Sequence, residues 1–228
     1  MKTSPSVPRL YSAIKSLSCV SCLAGALITA PAALAAPTVY NFTTAPGPIG
    51  YSPGLGSIFS STDVVSGSFV YDPDSPVTGT GSLGTTIYGY AAPPVVASYA
   101  SLAGTAGSYA FADPRGFVTV GNDLPMSPGT PAVDSLQLYA DSAYANGPHN
   151  FVGFTAGGYT AVNLRIFWIE STDIPDFNSD QSLPATPPKF MGRLALDFVP
   201  ADNPALPASS YVFFNGVTVT PAVVGTCN

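Results

Sequence analysis

Val65 to Pro76 read "VSGSFVYDPDSP", an apolar-rich run that stops at two aspartates and two prolines. Alternation of period two puts Val65, Gly67, Phe69 and Tyr71 on one face of a strand. Pro73 and Pro76 fix φ and withdraw backbone donors, so the strand ends there. Asp72 and Asp74 read as turn formers whose side chains bond nearby backbone amides, in preference to ligands delivered to a site. The same grammar recurs along the chain. In Ser135–Ala140, "SLQLYA", Leu136, Leu138 and Ala140 face one way and Ser135, Gln137 and Tyr139 the other. Leu194, Leu196 and Phe198 alternate with Arg193 and Asp197, which predicts a strand with one dry side. "VNLRIFWI" (Val162–Ile169) and "YVFFNGVTV" (Tyr211–Val219) are apolar on both faces in part and belong at the centre of a sheet. Further strands are predicted over 39–42, 64–71, 85–90, 95–102, 108–112, 117–121 and 150–155. About ten or eleven strands without helical spacers predict an all-β fold, an antiparallel β-sandwich that is jelly-roll-like and has little helix. The composition agrees, because Glu170 is the only glutamate and lysine is scarce, leaving little material for amphipathic surface helices.

The two ends set compartment and redox chemistry. Three basic residues (Lys2, Arg9, Lys15) precede an apolar stretch from Leu17 to about Ala30 and the small-residue site Ala33-Leu34-Ala35. That order is a secretory signal peptide over residues 1–35, cleaved after Ala35. A single domain over residues 36–228 is then expected, secreted or periplasmic. It carries four basic residues (Arg115, Arg165, Lys189, Arg193) against all thirteen acidic ones, a net charge of −9. Such a surface repels nucleic acid and anionic membrane. Cys19 and Cys22 leave with the leader, so their redox or zinc-like spacing is part of its apolar core. Cys227 is left as the one thiol of the exported chain: no internal disulfide is possible, and it reads as an inert tail thiol in preference to one half of an intermolecular bond.

Four stretches together resemble a known group: "GSIFSSTDVVSGSFVYDPDSP" (Gly56–Pro76), "GTAGSYAFADPRGFVTVGND" (Gly104–Asp123), "VDSLQLYAD" (Val133–Asp141) and "LPATPPKFMGRLALDF" (Leu183–Phe198). They are similar to exported bacterial proteins of the PEP-CTERM-associated group. The resemblance implies an exported β-sandwich associated with the envelope and extracellular matrix, and carries no catalytic residues. The chain departs from that pattern at its last residues, "TPAVVGTCN", which lack the Pro-Glu-Pro sorting signal, so free secretion or periplasmic residence is expected.

Several motifs invite chemistry. Gly79-Thr-Gly81-Ser-Leu-Gly84 matches the dinucleotide fingerprint by letter, but strand-like residues follow it where a helix N-terminus is required, so a flexible turn is expected. His149 is the chain's one histidine and sits in the turn signature "NGPHN", with no Gly-x-Ser-x-Gly elbow, which argues against a serine hydrolase or a histidine-bound zinc. Paired carboxylates for glycoside hydrolysis would need two acids facing one bond, and sequence spacing does not establish that. Asp176, Asn178 and Asp180 form D-x-N-x-D, three hard oxygen ligands as at the start of a calcium loop. Gln181 and Pro187 stand where an EF-hand needs Gly and Glu, so any calcium would sit in another geometry that could add Asp173 or Glu170. Asn41-Phe-Thr43 is a glycosylation sequon by pattern, and Trp168 reads as a core residue rather than a sugar platform.

Two segments are loops by composition, 123–131 and 171–188, and the second is long enough to be a site, with a helical turn allowed over 173–179. The expectation for function is an exported envelope or extracellular-matrix β-sandwich, non-catalytic, with no catalytic, cofactor-binding or metal-binding residue assigned. Polysaccharide or envelope protein is its expected partner. The alternatives are a carbohydrate-binding or calcium-stabilised adhesive module, and a carboxylate glycosidase.

Overall fold

Residues 64–71 form a strand as the alternation requires: Val65, Phe69 and Tyr71 are buried, and the residues between them stay partly open. The computed structural model describes residues 37–89, 98–104, 107–113, 117–125, 131–140, 155–169, 180–203, 205–206 and 208–222, with backbone alone for 98–104, 107–113 and 156. All of these fall in one compact unit, Leu34–Asn228. The predicted leader with Cys19 and Cys22, and also Arg115, His149, Glu170, Asp173, Asp176, Asn178 and Cys227, lie outside the described residues.

Among the described residues the chain forms thirteen strands, all paired antiparallel. They are β1 (Thr38–Thr43), β2 (Pro48–Tyr51), β3 (Val64–Tyr71), β4 (Val77–Thr80), β5 (Thr86–Tyr88), β6 (Ser98–Gly104), β7 (Gly107–Asp113), β8 (Phe117–Leu124), β9 (Val133–Tyr139), β10 (Thr155–Ala156), β11 (Tyr159–Ile169), β12 (Gly192–Pro200) and β13 (Ser210–Pro221). Eleven lie on one continuous path, β4-β5-β8-β9-β11-β12-β13-β1-β3-β6-β7, which does not close on itself. β10 pairs with β11, and β2 with β13. The architecture is the expected all-β, sandwich-like one. The short β2 and β4 were not legible in the sequence, because "PIGY" and "VTGT" are too brief to show a period.

Strand β13 joins the two sheets. Its first part pairs with β12 and its last residues pair with β1, which continues into β3, β6 and β7. Val212 and Phe214 are buried, and so is Val217, so the inward series slips by one residue at Asn215-Gly216. Gly216 has φ +65° there, the left-handed conformation in which glycine meets no steric penalty. The extra residue bends the strand while keeping apolar side chains inward. On the neighbouring edge β1 and β2 are one interrupted strand, broken at Gly47, with φ +84°, whose amide donates to the Asp63 carbonyl at 2.8 Å.

The chain crosses between sheets repeatedly. After β3 it passes to the β4–β5 hairpin of the other sheet, returns for β6–β7, and crosses again to β8. This alternation lets one core form between the layers. Tyr40, Phe42, Val65, Phe69 and Tyr71 from one sheet join Val120, Leu136, Leu164, Leu196 and Phe214 from the other in a single buried cluster. Tyr40 stacks on Phe69 at 5.7 Å, and Phe59 meets Phe198 and Phe214 edge-on at 6.0 and 6.1 Å. Each such side chain contributes about 1.5–3 kcal/mol relative to exposure.

One expectation needs correcting. Strand β12 is buried on both faces, since Ala195 and Val199 are fully covered and Asp197 is 3% exposed. Asp63 and Asp134 are buried as well, so acids are not confined to wet bends. Each is compensated. The Asp63 carboxylate accepts from the Ser60 amide and hydroxyl, Asp134 from the Asp123 amide, and Asp197 from Asn163 and Arg165.

Candidate functional site: a loop clasped across both sheets

The described part of the predicted loop, Asp180 to Pro188, runs on to Met191 and is bonded to strands of both sheets. It starts with Asp180, whose Oδ1 accepts from the Ser182 amide at 2.7 Å. Hydrogen bonds from the Ser182 side chain and backbone hold this carboxyl below its ordinary value of 3.8. Gln181 then docks on β8: its side-chain amide donates to the Val120 carbonyl at 2.7 Å and accepts from the Asn122 amide at 3.1 Å. Those contacts occupy the point where the β8–β9 register slips between Gly121 and Leu124.

Three buried aromatic side chains on different strands donate to the backbone of this segment. The Tyr88 hydroxyl donates to the Gln181 carbonyl at 2.6 Å, the Tyr71 hydroxyl to the Pro184 carbonyl at 2.6 Å, and the Trp168 Nε1 to the Phe190 carbonyl at 3.1 Å. Tyr71 belongs to the sheet of β3, whereas Tyr88 and Trp168 belong to the sheet of β5 and β11, so the loop is fastened to both layers. Burial pushes the Tyr71 hydroxyl far above its ordinary value, with the neighbouring tyrosines Tyr40 and Tyr88 adding to the effect. Its neutral, donating form therefore holds throughout the physiological range. Leu183 and Phe190 pack on the core, and Pro187 is buried. Gly192 follows because Trp168 sits directly above it: a Cβ there would lie 2.9 Å from Nε1.

Pro184, Ala185, Thr186, Pro187, Pro188 and Lys189 line an open depression of about 260 Å³. Prolines at three of six positions set φ before anything binds, so the depression is pre-organised. Lys189, which lines it, is exposed, and so are Met191 and Arg193 two and four residues further along.

A second ordered feature covers the outward face of the larger sheet. Phe117 stacks on Tyr139 at 4.4 Å, the Arg165 guanidinium lies 5.9 Å from the Tyr139 ring centre, and Arg165 makes a two-pronged ion pair with Asp197 at 2.9 Å on both arms. Asn163 donates to the same carboxylate at 2.8 Å. This array is mostly buried and internally satisfied, which suits a structural brace.

Trp168 is 1% exposed and belongs to the core, as expected. Gly79, Gly81 and Gly84 lie in the β4–β5 hairpin around a single 3₁₀ turn, Ser82–Gly84, where Leu83 and Gly84 both have positive φ. The dinucleotide lettering thus marks a tight hairpin loop. Asp72 caps its own turn, accepting from the Asp74 amide at 3.0 Å and, through its carbonyl, from the Ser75 amide and hydroxyl. Of the calcium-like triplet only Asp180 is described, and it is engaged with Ser182. Sequence reasoning placed the loop but missed the clasp, since Tyr71 and Tyr88 read there as ordinary strand residues. Compared with known proteins, the chain matches no family model, no curated protein and no solved structure.

Proposed function

We propose that this chain is an exported, non-catalytic β-sandwich of the bacterial envelope or extracellular matrix, and that it contacts polysaccharide through the clasped loop. The observation that carries the reading is the fastening of Gln181, Pro184 and Phe190 to both sheets around an open depression. Ordering a backbone residue costs about 1–2 kcal/mol, so a proline-rich segment held in one shape in advance lowers the cost of binding. A strand connection alone has no need of three buried donors. The depression is smaller than drug-sized cavities and open, which suits a single sugar ring of a long chain better than an enclosed small molecule. The leader and the resemblance supply the compartment. Five aspartate carboxylates, those of Asp63, Asp72, Asp134, Asp180 and Asp197, are already bound to local amides or to Arg165, and are thereby spent on structure.

Affinity electrophoresis through native gels containing neutral or acidic polysaccharides tests this. At least one polymer should retard the exported chain, and Tyr71→Phe/Tyr88→Phe, which frees the loop while keeping both rings, should be retarded less. Equal mobility in every gel would remove the proposal.

A further inference from the structure

We propose that the polysaccharide is anionic and carries carboxylates, and that Lys189 and Arg193 are the residues that read them. This deepens the glycan-contact reading and rests on it. Positive charge is scarce in this chain. The exported chain has four basic residues for thirteen acids. Of the three that are described, Arg165 is committed to Asp197. Lys189 and Arg193 are both exposed, and neither makes an ion pair among the described residues. They are four residues apart, so their Cα atoms are at most about 14 Å from one another. In a chain this acidic, cations meant only for solubility have no reason to collect at one place, and acids serve that purpose better.

Lys189 lines the depression together with the half-buried Pro184 and Pro188, the buried Pro187, and the exposed Ala185 and Thr186. Apolar ring faces beside a cation match a uronate sugar, which presents C–H surface and a carboxylate on the same ring. Arg193 is the second residue of β12, just after the segment anchored by Trp168, and its guanidinium can take a second carboxylate in two-pronged fashion. An acidic peptide would answer the charges but leave the proline walls without a partner.

The net charge of −9 opposes a polyanion at long range, but the opposition is short-lived in salt. At about 0.15 M ionic strength, charges more than about 8 Å away are largely screened, whereas a direct contact is not. The local cations therefore decide.

The experiment uses the exported chain in affinity gels containing polygalacturonate, the same polymer with its carboxyl groups reduced, or polyglutamate. Retardation is expected with polygalacturonate alone, reduced about tenfold in Lys189→Gln/Arg193→Gln, the loss expected from two exposed charge-assisted contacts. Both side chains are exposed, so the variant should melt with the wild type. Should it fail to fold, the wild type's own loss of retardation between low salt and about 0.5 M NaCl provides the second readout. Equal retardation by the carboxyl-reduced polymer would overturn the charge reading while leaving glycan contact intact. Equal retardation by polyglutamate, or an unaffected double variant, would also overturn it. No retardation by any polymer, neutral ones included, would overturn both.

Discussion

Tyr71 joins core and loop in one side chain: its ring is buried against Tyr40, and its hydroxyl holds the Pro184 carbonyl. Tyr71→Phe leaves the ring packing and deletes the donor, which should lower stability by about 1 kcal/mol in urea unfolding. The same residue sets an alkaline limit. Its folded-state value lies above the ordinary 10.0, so its neutral form stabilises the fold fully below about pH 10, and that contribution is lost as pH rises further. Unfolding midpoints measured from pH 8 to 11 should fall in the wild type and fall less in Tyr71→Phe. Asp197 acts through the side chains it pairs with. Replacing it by Ala removes the carboxylate that Arg165 and Asn163 both bond, so a cost of about 3 kcal/mol is expected. Replacing Arg165 and Asp197 together by apolar residues should cost much less than Asp197→Ala alone.

Among the elements, β13 is where sequence and structure part. Read as one nine-residue run, "YVFFNGVTV" is a central strand, and it is one, but Asn215-Gly216 inside it is a turn signal that shifts the inward series and sends the strand into the second sheet. Gly216→Ala places a Cβ 2.9 Å from that of Ala45 at a backbone angle that disfavours any side chain. It should lower stability by about 2 kcal/mol or more, read as a reduced urea midpoint with unchanged slope. The turn after β3 was fully legible, because an Asx turn is made by residues two apart. The clasped loop was legible only as a long irregular stretch, since its three donors come from 22 to 113 residues away.

For the whole molecule, secretion from a bacterial host should yield a chain that begins at Ala36, checked by intact mass, and a start at Met1 would remove the export reading. One shared core predicts one calorimetric transition, lowered as a unit by Asp197→Ala and Gly216→Ala. By itself the sequence determined what depends on near neighbours: period-two strands, proline-ended turns, a turn in place of a nucleotide loop, and the shortage of helix. Only the tertiary structure decided what depends on distant residues meeting: which aspartates are buried with partners, where β13 bends between sheets, and that tyrosines from both layers hold one proline-rich segment. Alternation says which way a side chain faces, but a hydrogen bond between residues 113 apart exists only once both sheets have been brought together.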